Sequence, residues 1–279
     1  MKALLLFLIL GNLALSQQTS EPQMTAVAYI YSYKYYESDI QPRQENMNLL
    51  IDGQESSFQS YNLRKMDTII SQNKSTDIND PAMLEARRKY RYNNTYNIHI
   101  KENDVEFHSR LGTNEFVYDE ELQLGWDLKN DSTQIMGHDC KNATIIYGGR
   151  QWEAWYAPDL PFNAGPYKFK GLPGLILKVT DSTGDFDFEA RAMGVKSKAP
   201  LEKSFFMKSK DDVTQTSREE FNEMKSSYEA LSFNEKMNYM MPGSDKVVIT
   251  KMWDKDGNEE SLRELDQAPE KRMFLEIDN

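Results

Sequence analysis

The run ATIIYGGRQWEAWY, Ala143 to Tyr156, reads as two β-strands joined by Gly148-Gly149. Two adjacent glycines suit the positive φ angles of a tight primed turn, which matches the twist of antiparallel strands. A two-residue turn there pairs Tyr147 with Arg150, Ile145 with Trp152 and Ala143 with Ala154. Those residues share one face because side chains alternate along a strand. That face is mostly apolar. The other carries Thr144, Ile146, Gln151, Glu153 and Trp155.

A second hairpin follows. Leu175, Leu177 and Val179 alternate with Ile176, Lys178 and Thr180, and Asp181 to Gly184 has turn chemistry. Phe186, Phe188 and Ala190 then alternate with acids. A four-residue turn would set Val179 opposite Phe186 and Leu177 opposite Phe188, which buries one face and wets the other.

Working outward, Tyr29 to Tyr36 is an aromatic strand, and Asp52-Gly53 joins Asn48–Ile51 to Ser57–Tyr61. Asn62 to Ser71 fits strand or helix, and Pro81 to Arg91 a short helix. Tyr96, Ile98 and Ile100 share a face, Glu102 to Asp104 turns the chain, and Val105 and Phe107 continue the alternation. Further strands are expected at Phe116–Tyr118, Leu122–Leu128, Gln134–Met136 and Val247–Ile249, with turns at Pro242-Gly243 and Asp256-Gly257. Ser217-Arg-Glu-Glu220 is a capping box ahead of Phe221, Met224, Tyr228 and Leu231 at helical spacing. The expected fold class is a β-rich α+β domain: a curved antiparallel sheet or half-barrel with a few helices.

The first sixteen residues combine one lysine, a short apolar run and small residues at Ala14 and Ser16. That is the pattern of a secretory signal peptide, too short to span a bilayer. The expected mature chain is one domain over residues 17–279, exported to the periplasm or beyond and soluble. No cysteine lies near the cleavage site to carry a lipid anchor, and no membrane span is expected in the mature chain. Removing Lys2 takes the net charge from −11 to −12. Such a balance argues against nucleic acid, whose phosphates call for a basic surface.

Chemistry-bearing motifs are sparse. Neither a phosphate loop, a G-x-G-x-x-G, nor a G-x-S-x-G elbow is present. Cys140 is the one cysteine, so no internal disulfide forms. His138 and Cys140 sit two apart, where strand geometry gives them one face, and a hydrolase or redox enzyme would start there. A metal site would draw on His99, His108, His138, Cys140 and some of the fourteen methionines, but a His-x-Cys pair lacks known zinc spacing. No catalytic residue, metal site or cofactor is assigned. The candidate ligand-binding set is aromatic: Trp152, Trp155, Tyr156, Phe162, Tyr167 and Phe169, with Arg150 placed to take a carboxylate, internal or external. The expected partner is an apolar ligand, a peptide or an envelope protein.

Arg150, Ala154-Trp155-Tyr156, Pro158, Leu160-Pro161, Gly165-Pro166, Phe169 and the run Gly171, Leu172, Pro173, Gly174, Leu175 and Ile176 resemble the GLPGLI family of exported Bacteroidota proteins. The resemblance runs from about Cys140 to Ala190. It implies a signal peptide followed by a β-rich envelope domain, and it carries no catalytic residues because the family's role is not established. The Trp-rich hairpin, the Gly-Leu-Pro turn and the D-x-x-G hairpin also resemble the half-barrels of periplasmic lipoprotein carriers, which wrap a sheet around helices and hold acyl chains. The GLPG run itself contains no acid, base or ligand atom. It is expected to be a corner that launches the Leu175–Val179 strand.

Overall fold

The computed structural model describes residues 23–73, 80–197, 213–240, 252–253, 259–260 and 273–276. The expected signal peptide, the turns at Pro242-Gly243 and Asp256-Gly257 and the Val247–Ile249 strand lie outside the described residues.

Twelve strands form one sheet. They are β1 Gln23–Tyr33, β2 Arg43–Asp52, β3 Glu55–Ser60, β4 Asn97–Lys101, β5 Asp104–Leu111, β6 Asn114–Glu121, β7 Asp127–Ile135, β8 His138–Tyr147, β9 Arg150–Ala157, β10 Leu175–Asp181, β11 Phe186–Ser197 and β12 Thr214–Gln215. Their order is β12-β6-β5-β4-β3-β2-β1-β11-β10-β9-β8-β7. Two meanders, β2 to β6 and β7 to β11, are thus joined by β1, which pairs antiparallel with β2 on one side and β11 on the other. Only the short β12 runs parallel to its neighbour, β6. The sheet is curved but not closed.

Period-two burial explains the core. Val27, Tyr29, Tyr31 and Tyr33 of β1 point to one face and are buried. Tyr31 stacks on Phe188 across the strand pair at 4.2 Å and on Tyr33 at 4.6 Å. Met47, Leu49, Phe58, Ile98 and Phe107 extend this face across the first meander. Helix α1, Tyr61–Asn73, resolves the Asn62–Ser71 ambiguity and packs against β2, β3 and the short helix α2, Pro81–Lys89. Asp80 caps α2, accepting the Ala82 and Met83 amides at 2.8 and 3.2 Å. Helix α3, Arg218–Glu229, carries the expected Ser217/Glu220 capping box and inserts Phe221 between Phe107, Phe116 and Tyr118. Helix α4, Phe233–Met240, follows it.

The Gly148-Gly149 hairpin has the expected register throughout, with φ angles of +56° and +70° at the two glycines. Its first strand starts earlier than the sequence suggests, at His138. The β10–β11 register is a correction: Val179 pairs with Phe188, not Phe186. A shift of two preserves the buried face, so the alternation could not reveal it. The cause is Asp181. Its carboxylate accepts the Phe186 amide at 2.9 Å and the Thr183 hydroxyl at 2.6 Å, which holds six residues out of the ladder. Leu122 to Trp126 is a second correction, for strand begins only at Asp127. Leu122 is buried, and the Trp126 indole donates to the Lys170 carbonyl at 2.7 Å instead of packing in a sheet. Gln134–Met136 ends at Ile135; Met136 and Gly137, at φ +53° and +85°, form the turn into β8.

Candidate functional site

The connection between β9 and β10, residues 158–174, folds across the buried face of the sheet. Its aromatic residues supply core. Tyr167 packs edge-on against Tyr96 at 5.6 Å and against Phe107 at 6.5 Å, and lies parallel to Phe188 at 6.4 Å. Phe169 contacts Trp152 at 4.8 Å, Tyr147 at 5.8 Å and Trp126 at 6.1 Å. One short loop therefore bridges both meanders.

Glycines shape this loop by close approach. A Cβ at Gly165 would meet the Phe169 carbonyl oxygen at 2.6 Å. At Gly174, φ +150°, it would meet the Ala157 carbonyl oxygen at 2.2 Å. The corner is tied down by Leu175 N to Leu160 O at 2.9 Å, Ile176 N to Ala164 O at 3.0 Å and Tyr29 Oη to Ile176 O at 2.6 Å. Tyr167 holds φ +55°, a left-handed angle that is uncommon for a non-glycine residue and clusters at ligand clamps.

That turn aims Lys168 inward, where it is fully buried. Its ammonium pairs with Glu120, with Glu276 at 2.8 Å, and donates to the Tyr118 hydroxyl at 3.0 Å. The rings of Phe107, Tyr118 and Tyr167 stand 5.1 to 5.4 Å from it, an aromatic cage for a cation. Glu276 also accepts the Tyr167 hydroxyl at 2.5 Å and pairs with Arg218 of α3 at 2.7 Å. Burial alone would raise the Glu276 pKa, but Lys168 and Arg218 outweigh it and hold it at about 2.

Residues 273–276 lie across this cleft as an internal guest. Met273 donates its amide to the Tyr35 carbonyl at 3.1 Å, and the Phe274 carbonyl accepts Arg150 Nε at 2.9 Å. Leu275 is buried in the core cluster. Gly148 makes room for Glu276, since a Cβ there would meet its Cγ at 2.8 Å. Beside the segment remains a cavity of about 100 Å³, lined by Tyr31, Tyr33, Tyr96, Phe107, Tyr167 and Phe274. The buried Tyr96 hydroxyl has no hydrogen-bond partner among the described residues.

The seven aromatic and arginine candidates are thus placed as follows. Trp152, Tyr156, Tyr167 and Phe169 are buried, while Trp155 and Phe162 are half-buried at the edge of the same cluster. Of the aromatics, Tyr167 lines the cavity and touches residue 276. Arg150 is buried, pairs with Asp181 at 2.9 Å and lies 4.5 Å over the Phe186 ring, so its carboxylate is internal. Lys168, Glu120, Arg218 and Glu276 complete the cleft, and no local sequence pattern marks them.

The histidines are spread over three strands, each beside a carboxylate: His99 near Glu55 at 3.7 Å, His108 with Glu106 at 2.5 Å, His138 with Asp159 at 2.7 Å. Cys140 donates to the His138 backbone carbonyl at 3.5 Å, and burial pushes its thiol pKa up, away from the thiolate a nucleophile requires. Among the described residues, no three His, Cys, Asp or Glu side chains gather to hold a metal. No helix among them is long and apolar enough to cross a membrane.

The Glu276 environment predicts acid lability. The folded pKa of about 2 lies below the ordinary 4.5, so the stabilisation is complete above pH 4.5 and drains away as pH falls toward 2. A shift of that size corresponds to about 3 kcal/mol. Urea unfolding at pH 6, 4 and 3 should show the loss, and Glu276→Gln should flatten it.

A family model described as a protein of unknown function (Porph_ging) matches residues 146–178, the stretch from the Gly-Gly hairpin through the loop into β10. No curated protein matches the chain in sequence. Among solved structures, PNGF-II in one crystal form superposes with a TM-score of 0.50 at 16% identity, over 74% of this chain and 33% of that one. A second crystal form of PNGF-II gives 0.49 at 17% identity, over 81% and 38%. This chain thus spans little more than a third of the PNGF-II chains, and the likeness is one of fold. A LolA superfamily protein from Nitrosomonas europaea gives 0.25 at 10% identity over 67% of this chain and 91% of that one, too loose a fit to bear on function.

Proposed function

We propose that this is a non-enzymatic, exported envelope protein of the GLPGLI type that binds an extended peptide segment on the buried face of its sheet. The observation that carries the reading is the seat of residues 273–276: a backbone anchor at each end of Met273-Phe274, an apolar slot for Leu275 and a cationic, aromatic socket for the carboxylate of Glu276. A socket with Lys168, Arg218 and the Tyr167 hydroxyl converging on one carboxylate recognises an acidic side chain after an apolar one. Export rests on the N-terminal sixteen residues, and the GLPGLI assignment on the Gly171–Ile176 run.

The test displaces the internal guest. Leu275→Asp should vacate the slot, and a fluorescent peptide of residues 271–278 should then bind at least tenfold more tightly to that variant than to the unaltered protein. The same peptide with Glu276→Lys should not bind. A folded Leu275→Asp protein that ignores the peptide would defeat the reading.

A further inference from the structure

The opposite face of the sheet carries a second cavity, independent of the peptide cleft. It lies under α1 and measures about 550 Å³, within the ordinary range for small-molecule sites. Its floor comes from strand positions that point away from the core: Ala26 and Ala28 of β1, Leu50 of β2, Ala192 and Gly194 of β11. Four of these five are alanine or glycine, so the sheet leaves a trough that α1 bridges without filling. The space is open at Gly194, where an added Cβ meets nothing within 4 Å among the described residues.

The cations of this trough match an anion. Arg64 and Lys65 of α1 and Lys196 of β11 line one cavity, and among the described residues no Asp or Glu does. In a chain of net charge −11 that is an unusual gathering. The Arg64 Nη1 atom is buried and has no hydrogen-bond partner among the described residues. The field is felt within the cluster. Burial and then Arg64 and Lys65 lower the Lys196 pKa, and burial lowers that of Arg64, which Asp67 partly offsets. A buried guanidinium nitrogen left without an acceptor above an apolar floor is a costly arrangement unless an acceptor arrives. The Tyr61 ring, under the Lys65 ammonium at 5.3 Å, adds an apolar wall.

We infer that this trough is a binding site for a single-chain anionic amphiphile, its head group on Arg64, Lys65 and Lys196 and its hydrocarbon tail over Ala26, Ala28, Ala192 and Gly194. Fatty carboxylates and alkyl phosphates share that chemistry, and two probes separate them.

Full-length protein would be titrated calorimetrically with laurate, dodecyl phosphate, neutral dodecyl maltoside and inorganic phosphate. Laurate or dodecyl phosphate should bind at one site per chain, at least tenfold more tightly than the maltoside or the inorganic ion; whichever is tighter names the head group. Gly194→Leu fills the trough where there is room for it, so it should fold normally and lose at least tenfold in affinity. Arg64→Gln should weaken binding by a similar factor. The inference is overturned if neither anionic amphiphile binds, if either control binds as well, or if Gly194→Leu binds unchanged. Peptide binding at the other face should be indifferent to Gly194→Leu, so the failure of one site is readable apart from the other.

Discussion

Lys168→Met should lower the unfolding free energy by about 3–5 kcal/mol at neutral pH, the usual cost of removing one partner from a buried ion pair. Methionine fits the space among Phe107, Tyr118 and Tyr167, so lost packing contributes little. The cost comes from Glu120 and Glu276, which stay behind with Arg218 as their remaining cation. The sign of the pH dependence follows. Without Lys168, burial dominates and Glu276 takes up a proton at higher pH than before. A protonated, neutral Glu276 no longer needs the lysine. The deficit should therefore shrink as pH falls from 7 to 4 in urea unfolding experiments. A deficit that stays constant on acidification would mean that Lys168 acts by packing alone.

Gly174→Ala should be comparably damaging for a different reason. The new methyl group would stand 2.2 Å from the Ala157 carbonyl oxygen, 2.6 Å from its carbon and 3.0 Å from Pro158 Cα. All three are backbone atoms at the end of β9, so none can rotate away. The angle φ +150° is also one that L-residues avoid. Steric conflict and backbone strain together should cost more than about 3 kcal/mol. Gly53→Ala is the control. It also sits at positive φ, +63°, but its Cβ would meet open space, so only about 1–2 kcal/mol should be lost. Thermal unfolding of the two variants side by side measures the difference. Equal losses would show that the GLPG corner is not held by close backbone approach.

Particular residues explain what was legible in the sequence. The Gly148-Gly149 pair could be read to the residue because two glycines fix the turn and period-two burial fixes the faces. The β10–β11 register could not. The Asp181 carboxylate bonds to the Phe186 amide and to Arg150, a strand away, and side-chain capture of a backbone group leaves no trace in hydrophobic alternation. The aromatic cluster from Trp152 to Phe169 was visible as composition, but its direction was not: Tyr167 and Phe169 face the sheet and fill it. Lys168 was hidden most thoroughly. A lysine between two aromatics reads as the wet side of a strand. Its inward turn depends on the left-handed angle at Tyr167 and on carboxylates from β6 and from residue 276, far away in sequence.

The seating of residues 273–276 by Lys168 is best tested by a double-mutant cycle. Unfolding free energies would be measured for the unaltered protein, Lys168→Met, Glu276→Gln and the double variant. Direct contact at 2.8 Å predicts a coupling energy of about 2 kcal/mol, with the double variant losing far less than the sum of the single losses. Losses that simply add would mean that Glu276 does not sit on Lys168, and the cleft would have no guest.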